Sequence, residues 1–281
     1  AIPAATKVKY IKRMAECGAK KMETTSFVSP KYVPQMGDAK EVARAVIPYL
    51  KEKGIMHFAL ALNKHGVEDA RAAGFQRVVF VLSASEEHNL RNSRRTIQES
   101  LDGLKTLARE ARDLHIILAM PCVFGSPFGD EVPMDRLKWL IEEAESVGVA
   151  EFGVADTAGI SNPEHTRLVL RAIREYTDLN KVSVHLHDTY GMGLANAYVA
   201  LEEGITMLDA SLGGMGGCPF APGAKGNIAT EDLVYMLQRM GYDTSIDFDK
   251  LLALSRYQHE RVQGIYSGHQ ININAKSSCC L

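Results

Sequence analysis

The chain has 281 residues, of which 46% are hydrophobic and 23% charged, and its formal net charge is −2. This balance excludes a disordered chain, and it carries no basic excess of the kind that binds nucleic acid. No stretch approaches the roughly 18 apolar residues of a membrane-spanning helix. We therefore expect neither nucleic acid nor a membrane as a partner.

Short apolar runs alternate with amphipathic stretches along the whole chain. The apolar runs predict seven strands that are covered on both faces, at 19–24, 56–62, 77–83, 115–122, 151–156, 181–187 and 207–212. The amphipathic stretches predict helices at 7–17, 38–53, 67–73, 94–112, 134–147, 163–176, 192–203, 230–239 and 247–262. A strand followed by a helix, repeated in this way, is typical of a (β/α)8 TIM barrel.

The predicted fold class is therefore α/β, with one TIM-barrel domain over residues 1–281 and a helical extension of the barrel over 242–281. The first predicted helix has no strand before it. Eight repeats require eight strands, so we expect that the first strand is missing and that the chain is a fragment.

Five cysteines are scattered through the sequence without a CxxC pair. An odd number without regular spacing argues against a disulfide framework and favours a reducing compartment. The adjacent Cys279 and Cys280 are interpreted as part of an inert tail, with oxidation between chains as the alternative.

Two histidines two residues apart, His185 and His187, lie on the sixth predicted strand. Alternate residues of a strand point to the same face, so both imidazoles can bind one cation. With Asp156 after the fifth strand and Asn227 in a later loop, the donors suit Mg²⁺, Mn²⁺ or Fe²⁺. The alternative is a pair of ordinary buried histidines.

A glycine-rich loop, 213–227, follows the last predicted strand, and Cys218 lies in it. A thiol in such a loop can serve as an acid or a nucleophile, or it can be a bystander. After the first strand, Glu23 and nearby hydroxyls such as that of Ser26 can bind a substrate carboxylate or cap a turn. The predicted substrate-binding residues are Ser26, Asn63, Gly216 and Gly217.

Four segments together resemble the 3-hydroxy-3-methylglutaryl-CoA lyase family. They are Glu23–Pro30 continuing to Asp38, Asp156–Gly159, His185–Gly191, and Gly213–Asn227 continuing to Leu237. The resemblance covers most of the chain up to about Gly241. The His-x-His strand is shared by a wider superfamily, whereas the Cys218 loop is more specific to the lyases.

The resemblance implies cleavage of 3-hydroxy-3-methylglutaryl-CoA to acetoacetate and acetyl-CoA, a step of leucine degradation and ketone-body formation. It implies a divalent cation, Mg²⁺ or Mn²⁺, held by His185, His187 and Asn227. The implied catalytic residues are Cys218, His185, Asp156 and Glu23, with Cys218 protonating the departing acetyl-CoA carbanion. It also implies an acyl-CoA partner, a homodimer, and a bacterial cytoplasm or a mitochondrial matrix.

The chain departs from the family at both ends. The family's first strand carries an Arg-Asp-Gly motif that contributes a metal ligand and an arginine, and nothing here precedes Ala1. From about Gln258 the match is poor. Three alternatives stay open: a related acyl-CoA lyase, a synthase that condenses a 2-oxo acid with acetyl-CoA, and an inactive or non-catalytic protein.

Overall fold

The computed structural model describes residues 2–217 and 226–273. Seven strands form one sheet: β1 (Lys21–Phe27), β2 (Met56–Ala61), β3 (Arg77–Val81), β4 (His115–Met120), β5 (Glu151–Asp156), β6 (Val182–Leu186) and β7 (Met207–Asp209). Neighbouring strands pair in parallel and in chain order, from β1 to β7. The predicted α/β barrel class is confirmed, and each predicted strand is present.

Helices connect the strands. Within the described residues they are α1 (Ala4–Glu16), α2 (Ala39–Glu52), α3 (Lys64–Ala72), α4 (Glu86–Ser93), α5 (Ile97–Glu110), α6 (Met134–Glu145), α7 (Pro163–Arg174), α8 (Gly193–Glu202), α9 (Thr230–Arg239) and α10 (Phe248–Arg261). None of them is long and apolar enough to cross a membrane.

The helix α4 is the one that the sequence did not predict. Its eight residues, EEHNLRNS, carry one aliphatic side chain, so no apolar stripe marks the helix. It forms because the Ser85 hydroxyl accepts the backbone N–H of His88, which caps its first turn. It ends at Arg94, whose φ of 59° is left-handed.

The strands divide their side chains between two faces. Alternate residues such as Val78, Phe80, Leu118, Val154 and Val184 are buried against the helices. The residues between them face the barrel interior because side chains alternate along a strand. This alternation places 21 and 23 of β1, 183 and 185 of β6, and 207 and 209 of β7 inside the barrel.

The sheet curls so that its two outer strands approach each other. The Lys21 ammonium of β1 donates to Glu151 of β5 at 2.7 Å and lies 3.5 Å from the Met207 sulfur of β7. In the described ranges, no further strand pairs with the outer edge of β1 or β7. The division into one domain with a helical extension from residue 242 stays a prediction.

Candidate active site

The two histidines predicted to share a cation lie side by side at the carboxyl end of β6. The ring centroids of His185 and His187 are 5.3 Å apart, with the ring planes inclined at 55°. His187 is 7% exposed, and its Nδ1 is buried and has no hydrogen-bond partner among the described residues. A buried nitrogen without a partner is available to a ligand.

Asn227 lies beside this pair because its backbone forms an isolated antiparallel bridge with His187. The Asn227 side-chain N–H₂ donates to the carbonyl oxygens of Met215 at 3.1 Å and Gly216 at 3.0 Å. These two bonds orient the amide. Its oxygen is buried, lacks a hydrogen-bond partner among the described residues, and lies near enough to His185 to raise the pKa of that imidazole.

Two carboxylates lie near His185: Asp209 on β7, the strand that pairs with β6, and Glu23 on β1. Asp209 of β7 has a carboxylate oxygen 3.8 Å from His185 Nδ1. The side chain of Glu23 of β1 is exposed to solvent. Partial loss of hydration inside the barrel, together with the charge of Asp209, raises the pKa of Glu23 to about 7, and the charge of His185 opposes the change.

The two imidazoles respond in opposite directions to their surroundings. Burial works against the charged form of His185, but the carboxylates of Asp209 and Glu23 outweigh burial and raise its pKa. Burial and the neighbouring charge of His185 lower the pKa of His187 to about 4. His187 is therefore neutral at neutral pH, which is the form that binds a metal ion.

Asp209 is a site residue that the sequence analysis missed. It lies within the apolar run that predicts the strand at 207–212, three residues before the end of that run. The signal that could have found it is a carboxylate inside an apolar run near the carboxyl end of a barrel strand, where site residues collect.

Asp156, a predicted catalytic residue, ends β5 and is fully buried. Its two carboxylate oxygens accept the backbone N–H groups of Ile160 at 3.1 Å and Ser161 at 3.0 Å. Burial raises the pKa of Asp156 to about 6, and these backbone bonds oppose that rise. The carboxylate orders the loop after β5, and its catalytic role stays a prediction.

The predicted substrate-binding residues are placed on three elements. The Asn63 side chain accepts the N–H of Gly66 at 2.9 Å and so caps α3. Ser26 is the next-to-last residue of β1. Gly216, with a φ of 105°, accepts from Asn227, and Gly217 follows it. Their substrate contacts stay predictions. Cys218, Cys279 and Cys280 lie outside the described residues.

A divalent cation fits the donor atoms that meet at the carboxyl end of β6. The described residues contain no group of three or more His, Cys, Asp and Glu side chains that could hold a metal ion. The amide oxygen of Asn227 completes a mixed donor set, because it and His187 Nδ1 are both buried without a partner. Nitrogen and oxygen donors of this kind suit Mg²⁺ or Mn²⁺.

The fold is that of an α/β-barrel enzyme, and these side chains form a candidate site at the carboxyl ends of its strands. A family model described as HMGL-like matches residues 1–257. The chain is 38% identical over 258 residues to the hydroxymethylglutaryl-CoA lyase of Bacillus subtilis, covering 91% of this chain and 85% of that protein. The chain therefore belongs to the HMGL-like family, and the resemblance to its lyases is confirmed.

Other relatives agree in sequence and in structure. The mitochondrial hydroxymethylglutaryl-CoA lyase of Homo sapiens is 38% identical over 253 residues, covering 89% of this chain and 77% of that protein. The structure of an HMG-CoA lyase from Acinetobacter baumannii, in complex with coenzyme A and 3-methylmalate, superposes with a TM-score of 0.93 at 32% identity. That superposition covers 100% of this chain and 91% of the other.

Proposed function

We propose that this chain catalyses the divalent-metal-dependent cleavage of 3-hydroxy-3-methylglutaryl-CoA to acetoacetate and acetyl-CoA. The observation that carries the proposal is the meeting of His185, His187 and Asn227 beside two carboxylates, in a chain 38% identical to a lyase of this kind. The relative with coenzyme A bound supports an acyl-CoA substrate. A condensing synthase is not favoured, because the relatives reported above are lyases.

In this proposal His185, His187 and Asn227 hold Mg²⁺ or Mn²⁺. When bound, the cation supplies acidification of the tertiary hydroxyl and a fixed orientation of the substrate oxygens. The neutral His187 and the oriented Asn227 amide support this assignment, because neither needs to lose a hydrogen bond before binding.

The reaction needs a group that removes the hydroxyl proton while the carbon–carbon bond breaks. The electrons of that O–H bond form the ketone of acetoacetate, and the electrons of the broken bond remain on the acetyl-CoA carbon. Glu23 suits the proton transfer, because a pKa of about 7 lets it gain and lose a proton near neutral pH. His185 is the alternative base. Asp156 is supported less, since both its oxygens accept backbone N–H groups.

The carbanion left on acetyl-CoA must then be protonated. We assign this step to Cys218, which matches the loop cysteine of the family. A thiol that approaches the product on a loop can deliver the proton while water is excluded. The base that accepted the hydroxyl proton returns it to solvent or to the thiolate, and the protons of the cycle balance.

The experiment that tests the proposal is a direct assay of acetyl-CoA release from 3-hydroxy-3-methylglutaryl-CoA, with Mn²⁺, with Mg²⁺ and with a chelator. We expect release that requires either cation. A parallel assay with acetyl-CoA and a 2-oxo acid tests the synthase. Condensation in that assay without release in the first would overturn the proposal.

The remaining partners and the compartment are proposals of the same kind. The relatives include bacterial and mitochondrial proteins. A homodimer in a bacterial cytoplasm or a mitochondrial matrix is consistent with them, and light scattering of the purified chain tests the dimer.

A further inference from the structure

Asn227 is held at every hydrogen-bonding group except the amide oxygen that faces the histidines. Its backbone N–H donates to the Gly216 carbonyl at 3.0 Å, and its side-chain N–H₂ donates to Met215 and Gly216. Its backbone carbonyl accepts the Ser267 hydroxyl at 2.7 Å. Within the described residues, Ser267 is thus the one side chain that hydrogen bonds the backbone of Asn227.

Ser267 lies in the segment that follows α10, 40 residues from Asn227 in the sequence, and its own surroundings also hold it in place. It is 6% exposed, and its backbone N–H and that of Gly268 both donate to the Gly213 carbonyl at 3.2 Å. Gly214 leaves the space for the hydroxyl, since a Cβ there would lie 1.7 Å from the Ser267 oxygen. The hydrogen bond from Ser267 to Asn227 is therefore enclosed by Gly213 and Gly214.

Two buried carboxylates in the first turn of α9 hold two neighbouring segments: Asp232 binds the segment that carries Ser267, and Glu231 binds the segment that carries Gly213. Asp232 accepts the backbone N–H of His269 at 2.7 Å and that of Gln270 at 2.9 Å. Glu231 accepts the backbone N–H of Gly213 at 3.0 Å and the Ser255 hydroxyl at 2.7 Å. Three regions of the chain therefore meet at the base of the loop that carries Asn227.

We infer that Ser267 is a positioning residue that fixes the direction of the Asn227 amide oxygen towards the cation. The inference rests on the proposed function, because it takes Asn227 as a metal ligand. The direction of the amide depends on the backbone of Asn227, and the Ser267 hydroxyl is what holds its carbonyl. Without the hydroxyl the buried carbonyl loses its partner, and that peptide group keeps a single hydrogen bond, from the Ile228 N–H to the Leu186 carbonyl at 3.1 Å.

Mn²⁺ binding to the metal-free whole chain, measured by titration calorimetry without substrate, tests this inference. We expect Ser267→Ala to raise the Mn²⁺ dissociation constant about 10-fold, at the lower end of what lost outer partners of metal ligands cost. Turnover of this variant should recover at saturating Mn²⁺, with an unchanged KM for the acyl-CoA. Ser267→Thr keeps the hydroxyl and should bind Mn²⁺ within about threefold of the native chain, well short of that loss.

The matched control is Ser255→Ala, which removes an equally buried hydroxyl from the same region without touching Asn227. It should leave Mn²⁺ affinity unchanged. An equal loss in both alanine variants, or none in Ser267→Ala while the native chain binds Mn²⁺, overturns the positioning role and leaves the proposed function intact. A native chain that binds no Mn²⁺ overturns the metal assignment, and the positioning role falls with it.

Discussion

Charged side chains lie at both ends of the barrel interior, but they are paired with one another at the amino-terminal end and incompletely paired at the carboxyl-terminal end. At the amino-terminal end, Glu151 lies 2.7 Å from Lys21, 2.8 Å from Arg77 and 2.8 Å from His115. Burial tends to raise the pKa of Glu151, but Lys21, with help from His115 and Arg77, lowers it below its usual value. Every charge of this cluster therefore has a partner.

At the carboxyl-terminal end of the barrel interior, two residues further along β1 and β7, the pairing of charges is incomplete. On β1, Lys21 is followed by Glu23, and on β7, Met207 is followed by Asp209. Here the charge of Asp209 raises the pKa of Glu23, and His185 is the basic side chain near them both. Paired charges mainly hold the strands together, whereas incompletely paired ones are free to bind a cation or move a proton.

The largest difference between the two ends should appear when a histidine is removed from each. His187→Ala should lower turnover by about 1000-fold, because a catalytic cation contributes several kcal/mol. His115→Ala should leave Mn²⁺ affinity unchanged, because it lies at the opposite end of the barrel. Calorimetric Mn²⁺ titration and the acetyl-CoA assay measure both. Unchanged Mn²⁺ affinity in His187→Ala would remove it as a ligand.

The carboxylates give the next comparison. Glu23→Gln should lower kcat by about 100- to 1000-fold, the contribution of a general acid or base, with little change in Mn²⁺ affinity. Glu151→Gln should instead cost about 1–3 kcal/mol of stability, because it weakens a partly buried cluster of charged partners. Steady-state kinetics and urea unfolding separate the two effects. A kcat that falls equally in both variants would contradict the division of roles.

The proposed role of Cys218 gives a smaller test. Cys218→Ala should lower kcat by about 100-fold while Mn²⁺ affinity stays nearly intact, because a proton donor is lost and the ligands are not. The control is Cys17→Ala, which removes a buried thiol that packs against Val234, Leu251 and Leu254. Loss of Mn²⁺ binding in Cys218→Ala would argue against the acid role.

The strands and most helices could be predicted because their signals are local. Apolar runs predict all seven strands, and the helix predicted at 163–176 begins where α7 does, at Pro163, after Asn162, whose side chain accepts the N–H of His165. The partners of site residues are not local. Asn63 is predicted to bind substrate, and in the structure its side-chain oxygen also caps α3 by accepting the N–H of Gly66. The sequence does not show which partner each atom of that amide takes, and the substrate contact stays a prediction.

The carboxyl end of the barrel shows the same limit. The pair His185 and His187 was predictable, because two residues of spacing on a strand fixes a common face. Asp209 was missed because its role depends on β7 lying beside β6, which brings it to His185. Ser267 was missed because 40 residues separate it from Asn227, the residue it contacts.

The pH dependence of stability should show the smallest effect, and it tests the difference between the two ends of the barrel most directly. The pKa of His187 is lowered to about 4 by burial and by the charge of His185. An unfolded histidine titrates near 6.5, so between these values the unfolded chain binds more protons than the folded chain. Stability supplied by the neutral His187 is therefore present above about pH 6.5 and is lost as the pH falls towards 4.

In the metal-free protein this loss should reach about 2 kcal/mol at pH 5. His187→Gln should remove that part of the pH dependence, because the amide does not titrate. Urea unfolding of both proteins at pH 7.5 and pH 5 measures the difference, and the contribution of the other buried histidine with a low pKa, His88, cancels between them. At the opposite end, burial also lowers the pKa of His115, but Glu151 opposes the shift. His115→Gln should therefore flatten the profile less than His187→Gln, and an equal effect would mean that pairing does not distinguish the two ends.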